Sequence, residues 1–148
     1  MNVRKCGLSD VPAIYGMMRE LAEFEGLEGA LTLGEEGVRK LMSENAFCAL
    51  IAEENGEAAG MALYYFYMLS TFSGRRVLYL EDLYVKPDFR RRSVGESLMN
   101  ELRREARERD CIKMEWKCLA ENAPAIKFYE KAGASVSPDW LTFTLRNF

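Results

Sequence analysis

The sequence predicts an α/β fold in which a mixed, mostly antiparallel sheet of six or seven strands is flanked by about four helices. Three features predict this fold: short apolar runs typical of strands, longer segments with apolar residues at helical spacing, and short connections between them. The predicted order is β-α-α-β-β-β-α-β-α-β, with one more short strand near Ala134 as an option. At 148 residues, without repeats or linkers, the chain is expected to form one domain over residues 1–148.

The first three predicted elements are a short strand and two helices. Residues 2–6 can form the strand. Ser9 is expected to cap a helix over residues 9–25, in which apolar residues recur at helical spacing. Thr32 opens a capping-box pattern and predicts a second helix over residues 32–45.

Three strands are predicted in the middle of the chain, at residues 46–54, 58–69 and 75–85. The dipeptide at residues 55–56 is Asn-Gly, which tolerates the positive φ angles of a tight hairpin turn. The first two of these strands are therefore expected to form a hairpin.

The last part of the chain alternates between helix and strand. A strongly helical segment over residues 94–110 precedes a strand at residues 111–118. A short helix follows, with Pro124 in its first turn and Gly133 at its C-terminus. Apolar residues alternate over residues 140–147, which predicts a final strand.

Composition and charge exclude several classes of function. The net charge of −3 leaves no basic excess for nucleic acid, and no apolar run approaches the ~20 residues that a membrane span requires. The chain contains no histidine, which removes histidine-containing metal sites and histidine bases. Its four cysteines are scattered, as expected of reduced thiols in a cytoplasmic protein without a metal site.

Three consecutive arginines lie between the end of a predicted strand and the start of a predicted helix. They occupy positions 90–92, and Gly95 follows within the same segment. A helix N-terminus presents unpaired backbone N–H groups and the positive end of the helix dipole, so the site suits an anion such as a pyrophosphate. A solvated basic loop is the alternative interpretation of these residues.

The segment Arg90-Arg91-Arg92-Ser93-Val94-Gly95 resembles the acetyl-CoA signature of the GNAT superfamily of N-acetyltransferases, R/Q-x-x-G-x-G/A. A second segment, residues 121–134, is similar to a later signature of the same family, and the element order agrees from end to end. Several strings look most like the spermidine/spermine and thialysine acetyltransferase branch. Ser93 departs from the pattern because it stands where the family has its central glycine, which leaves open whether the hydroxymethyl group crowds the loop or binds a phosphate.

The resemblance implies that acetyl-CoA is the cosubstrate and that two groups of residues hold it. The pyrophosphate would lie on the loop and helix start formed by Arg90, Arg91, Arg92, Ser93, Val94, Gly95 and Glu96. The pantetheine arm would pair with strand backbone and with the later segment, at Leu83, Tyr84, Val85, Asn122 and Ala125.

The resemblance also implies residues for the chemistry. Tyr129 would protonate the departing sulfur, and Glu81 would accept the proton of the amine through water. Asp82 would either orient the acceptor or hold an arginine, and Glu25 and Trp140 would also contact the acceptor. Because Glu81 and Asp82 are adjacent on a strand, their side chains are expected to point to opposite faces and not to act as a pair.

The implied reaction is transfer of an acetyl group to a primary amine by direct attack in a ternary complex. The acidic candidates favour a small cationic amine such as a polyamine or a lysine-like compound, and the family implies a homodimer. A non-catalytic acyl-CoA-binding regulatory module on the same fold is the alternative.

Overall fold

The computed structural model describes residues 1–68 and 70–148. The strands are β1 (Asn2–Lys5), β2 (Cys48–Glu54), β3 (Glu57–Met68), β4 (Arg76–Val85) and β5 (Lys113–Glu115). The helices are α1 (Val11–Glu25), α2 (Glu35–Ser43), α3 (Val94–Glu108) and α4 (Ala123–Lys131). Backbone contacts divide the chain into two compact units, residues 1–116 and 117–148, and each is described by itself.

The first unit contains a five-stranded sheet in the order β1-β2-β3-β4-β5. Neighbouring strands from β1 to β4 are antiparallel, whereas β5 runs parallel to β4. Asn55 and Gly56 connect β2 to β3 with φ angles of 53° and 81°, as the sequence predicts for this turn. The predicted fold class, a mixed and mostly antiparallel sheet with helices, is confirmed.

The sheet of the first unit is covered on both faces. On one face α1 and α2 pack against alternate residues of three strands, forming a core of Val11, Ile14, Met17, Val38, Ala49, Ile51, Met61, Leu63 and Tyr84. Tyr64 points to the other face, where its hydroxyl donates to a carboxylate oxygen of Glu105 in α3 at 3.4 Å. The predicted alternation of the strands thus places one helix layer on each side of the sheet.

Gly60 of β3 lies close to both β4 and the start of α3. A Cβ atom at this position would lie 2.6 Å from the carbonyl oxygen of Tyr84 and 3.2 Å from a methyl group of Val94. Backbone cannot yield as a flexible side chain does, so only glycine fits without moving β4. This contact sets the distance between the end of β4 and the N-terminus of α3.

Both predicted helix starts in the N-terminal region differ from the structure. Ser9 lies in a 3₁₀ turn, and Asp10 is the residue before α1. Thr32 does not cap α2, which begins at Glu35 after the extended residue Gly34. Glutamates in the first turn of α2 interact favourably with the helix dipole, so this helix starts without the predicted capping box.

The final strand predicted at residues 140–147 is not formed, nor is a strand near Ala134; the described residues contain five strands. Leu141 and Phe143 are 80% and 92% exposed. Alternation predicts which side of a strand is apolar, but a strand also needs a neighbour for its backbone. Of the predicted strand at residues 58–69, the last residue lies outside the described residues.

None of the helices in the described ranges is long and apolar enough to cross a membrane. The formation of one domain over residues 1–148 stays a prediction.

Candidate active site

The loop before α3 contains two residues in a backbone conformation that side chains rarely adopt. Arg91 and Ser93 have φ angles of 61° and 59°, in the left-handed region. Glycine adopts this region freely, whereas other residues lose roughly 1–2 kcal/mol there. Ser93 precedes the helix but makes no side-chain cap with it. The first-turn N–H groups of α3 are therefore not bonded by the Ser93 hydroxyl and suit an anion.

Arg90 is held by the protein at the end of β4. Its Nε donates to the carbonyl oxygen of Val85 at 3.1 Å, and its guanidinium lies over the ring of Phe24 at 4.8 Å. Arg90 therefore joins the end of α1 to the end of β4, rather than extending freely into solvent.

Arg92 and Arg91 differ in their surroundings. Arg92 donates to a carboxylate oxygen of Glu54 at 3.0 Å and lies 5.6 Å from the centre of the Phe89 ring. Arg91 is exposed and joins no ion pair with the other described residues. An exposed ion pair such as Arg92–Glu54 contributes little free energy, so a phosphate can compete for this arginine.

The end of β4 extends beyond its pairing with β5. The parallel pairing joins only Val77–Tyr79 to Lys113–Glu115. The backbone at residues 83–85, which is predicted to hold the pantetheine arm, lies downstream of this pairing. Unpaired backbone donors and acceptors on an edge of this kind can bind the amide groups of a ligand.

A β-bulge interrupts β4 at Glu81. Leu63 of β3 pairs with Asp82, and the next residue, Tyr64, pairs with Leu80, so Glu81 has no partner in β3. Bulges disturb strict side-chain alternation and are common near active sites. The expectation that Glu81 and Asp82 point apart rested on that alternation and is wrong for this reason.

The acidic residues around the bulge influence one another. Asp82 is half-buried, whereas Glu81 is exposed. Burial raises the pKa of Asp82 to about 6, with further contributions from the negative charges of Glu81 and Glu25. The structure thus brings together three of the predicted site residues, and Asp82 is poised to change its charge near neutral pH.

Two further groups of residues near β4 were missed by the sequence analysis. The hydroxyl of Tyr84 donates to Glu20 of α1 at 3.0 Å. Tyr65 and Tyr79 are stacked, with ring centres 5.1 Å apart, and burial and the charge of Glu81 raise the pKa of both. The signal in the sequence was the i, i+2 spacing of Tyr79 and Glu81, which puts both on one strand face.

A separate cavity of about 470 Å³ lies along α1. Its lining includes Arg19, Glu20, Glu23 and Glu28. Glu25, the predicted acceptor-binding residue, does not line this cavity; its negative charge acts on Asp82 instead.

The second unit carries the later signature. The side chain of Asn122 accepts a hydrogen bond from the backbone N–H of Ala125 at 3.2 Å and caps α4. Tyr129 is half-buried on α4, with its ring centre 5.4 Å from that of Phe128. Trp140 is 86% exposed. The predicted roles of these four site residues stay predictions.

The described residues contain no group of three or more cysteines, aspartates or glutamates placed to hold a metal ion.

These features can be compared with known proteins. The chain belongs to the acetyltransferase (GNAT) family, whose model matches residues 14–134. Proteins of this family use acetyl-CoA as cosubstrate, and the chain is an acetyl-CoA-dependent N-acetyltransferase. The non-catalytic alternative is thereby set aside.

Two similar proteins are thialysine N-epsilon-acetyltransferases. That of Caenorhabditis elegans is 35% identical, over 89% of this chain and 83% of its own length. That of Mus musculus is 34% identical, over 96% of this chain and 90% of its own length. The predicted resemblance to the diamine and thialysine branch is confirmed.

Solved structures agree on the fold. The crystal structure of a probable acetyltransferase superposes with a TM-score of 0.84 at 23% identity, covering 100% of this chain and 99% of the other. An aminoglycoside N-acetyltransferase in complex with CoA has a TM-score of 0.76 at 20% identity, covering 99% of this chain and 100% of the other.

Proposed function

We propose that this enzyme transfers the acetyl group of acetyl-CoA to a small cationic primary amine by direct attack in a ternary complex. The observation that carries the proposal is the set of carboxylates around the bulge of β4: Glu25, Glu81 and Asp82. Negative charge at this point attracts a protonated amine and also offers acceptors for its proton.

The cosubstrate would be held mainly by backbone. Its pyrophosphate would lie on the backbone of residues 91–96, where α3 begins, with arginines supplying charge. Its pantetheine arm would follow residues 83–85 on β4, beyond the pairing with β5. Asn122 and Ala125 are proposed to contact the same arm.

The amine must lose a proton before it can attack the thioester. An alkylammonium has a pKa of about 10.4, so a base near the acceptor assists the reaction. Glu81 is the proposed acceptor of this proton through water. Asp82 is a second candidate for the base, because its pKa of about 6 leaves it ionised at neutral pH.

The sulfur leaves after the nitrogen has bonded to the carbonyl carbon. Backbone N–H groups of β4 would stabilise the negative charge on the carbonyl oxygen. When the carbon–sulfur bond breaks, Tyr129 is proposed to donate its phenolic proton to the thiolate. The proton taken from the amine then restores Tyr129 through solvent, so the products are an acetamide and CoA.

The names of similar proteins support an acceptor of lysine or polyamine type. Two are named for thialysine, and one from Homo sapiens is named spermidine/spermine N(1)-acetyltransferase-like protein 1. We propose the same class of acceptor here, contacted also by Trp140, in a cytoplasmic homodimer.

An acceptor screen that follows CoA release would test the proposal. Di- and polyamines and lysine-like amino acids should be acetylated faster than neutral or anionic acceptors. Double-reciprocal plots of the initial rate against one substrate, at several fixed concentrations of the other, should give intersecting lines, as a ternary complex requires. Faster turnover of a neutral acceptor, or parallel lines, would contradict the proposal.

A further inference from the structure

Phe24 is an exposed aromatic residue at the C-terminal end of α1. By its spacing it continues the apolar stripe of the helix, in which Ile14 and Met17 are buried, yet Phe24 itself is 61% exposed. Its ring contacts Arg90, whose guanidinium lies 4.8 Å from the ring centre. A contact with a charged group, rather than burial in the core, therefore distinguishes Phe24 from the rest of the stripe.

A second contact between α1 and β4 fixes the direction in which Phe24 points. The hydroxyl of Tyr84 donates to a carboxylate oxygen of Glu20 at 3.0 Å. Glu20 and Phe24 are four residues apart in α1, so their side chains lie on the same face of the helix. The ring of Phe24 is therefore turned toward the end of β4, and Arg90 follows that strand in the chain.

Arg90 connects two parts of the proposed cosubstrate site. Its Nε donates to the carbonyl oxygen of Val85, which belongs to the strand backbone proposed to hold the pantetheine arm. Arg90 also begins the loop proposed to hold the pyrophosphate, in which Arg91 and Ser93 adopt left-handed conformations. A guanidinium that is held in place at this point fixes the loop relative to the strand.

An aromatic ring can hold an arginine without neutralising its charge. Arg92 pairs with the carboxylate of Glu54, whereas Arg90 forms no ion pair with the residues that the structure describes. A ring contacts the face of a guanidinium and leaves the N–H groups, which lie in its plane, able to donate to an anion. The contact with Phe24 thus keeps positive charge beside the loop available to phosphates.

We propose that Phe24 is a positioning residue for cosubstrate binding: its ring holds Arg90, and Arg90 holds the pyrophosphate loop against the end of β4. This inference rests on the proposed function and adds to it a residue of α1 that lies outside both signature segments. Phe24 acts through Arg90 and not by contact with the cosubstrate. An exposed contact between a ring and a guanidinium changes a binding constant by about two- to fivefold.

Calorimetric titration with acetyl-CoA, in the absence of an acceptor, tests the proposal. Phe24→Leu keeps an apolar side chain but removes the ring, so the dissociation constant should rise about two- to fivefold. Phe24→Tyr keeps the ring and should bind acetyl-CoA as the wild type does. The matched control is Phe72→Leu, at a fully exposed phenylalanine before the opposite end of β4, and it should also leave the dissociation constant unchanged.

A double-mutant cycle separates an action through Arg90 from a direct contact with the cosubstrate. Arg90→Gln should weaken the binding of acetyl-CoA, and the addition of Phe24→Leu should then have no further effect. If Arg90→Gln does not fold, Arg90→Lys replaces it, because lysine keeps the charge but not the planar group that stacks. In turnover with the fastest amine of the acceptor screen, Phe24→Leu should raise the KM for acetyl-CoA and leave kcat unchanged.

Three results would overturn the positioning role and leave the proposed function standing. The first is wild-type affinity for acetyl-CoA in Phe24→Leu. The second is an equal loss of affinity in the wild-type and Arg90→Gln backgrounds, which would show that the ring contacts acetyl-CoA itself. The third is a change confined to the KM for the amine. Failure of the wild-type protein to bind acetyl-CoA would overturn both proposals.

Discussion

The loop before α3 and the bulge in β4, which we propose as the cosubstrate site and the acceptor site, are built by different physical means. In the loop, left-handed residues and a helix N-terminus present backbone groups, while Arg90 and Arg92 already contact protein groups. At the bulge, the proposed function depends on side chains, above all on Asp82, whose pKa is raised by burial and by the charges of Glu81 and Glu25. We therefore expect some side-chain substitutions to lower turnover strongly while they leave the affinity for the cosubstrate almost unchanged.

The strongest test of this division is Tyr129→Phe. The ring is retained, so packing on α4 should persist, but the proton donor for the sulfur is lost. We expect kcat to fall by about 10²–10⁴-fold, the range of general acid catalysis. The dissociation constant of acetyl-CoA, measured by calorimetry, should change little. Wild-type turnover in this variant would show that Tyr129 only packs.

The second test uses the pH dependence of kcat/KM for an amine acceptor. Below the pKa of the amine, log kcat/KM should rise by one per pH unit, because the amine must lose a proton before it attacks. Below about pH 6 the slope should be two, because Asp82 must be ionised as well. The slope should therefore fall from two to one near pH 6. Asp82→Asn should show a slope of one throughout, with kcat/KM about 10–100-fold lower at pH 7. A break near pH 6 that persists in the variant would assign it to another group.

The third test measures stability instead of turnover. The pKa of Asp82 lies above its ordinary value, so folding favours the protonated acid. This stabilisation is complete below about pH 4 and is lost as pH rises through 6. Asp82→Asn should therefore raise the free energy of unfolding by about 1–2 kcal/mol at pH 8 and not at pH 4. Thermal unfolding checks this, with exposed Asp88→Asn as the control.

The smallest effect is expected at the signature position itself. Ser93→Gly relieves left-handed strain but gives the unfolded chain more freedom, so stability should rise by only about 0.5 kcal/mol. Ser93→Ala keeps the strain and removes the hydroxyl. If backbone N–H groups hold the pyrophosphate, both variants should bind acetyl-CoA within about threefold of wild type. A tenfold loss in Ser93→Ala alone would instead indicate a phosphate bond to the hydroxyl.

The same contrast explains what could be predicted from the sequence. The loop was predictable because arginines and Gly95 stand in order between a strand and a helix, which are local features. The turn at Asn55 was predictable for the same reason. The break in side-chain alternation at Glu81 was not predictable, because the bulge arises from the register between β3 and β4. The prediction of a strand at residues 140–147 was wrong for a similar reason, because alternation of apolar residues does not show which strand would pair with it.

Gly60 has a consequence for genetics. It lies on a different strand from the arginine loop, yet its lack of a side chain lets β4 and the start of α3 meet. In a random mutagenesis survey, we expect substitutions at Gly60 and substitutions in the loop to have the same phenotype. Both should weaken the proposed binding of the acetyl donor. Variants at two sites that are separated along the gene would thus have the same phenotype. A smaller side chain at Val94 would not compensate, because the closer contact of an added Cβ is with the backbone carbonyl oxygen of Tyr84.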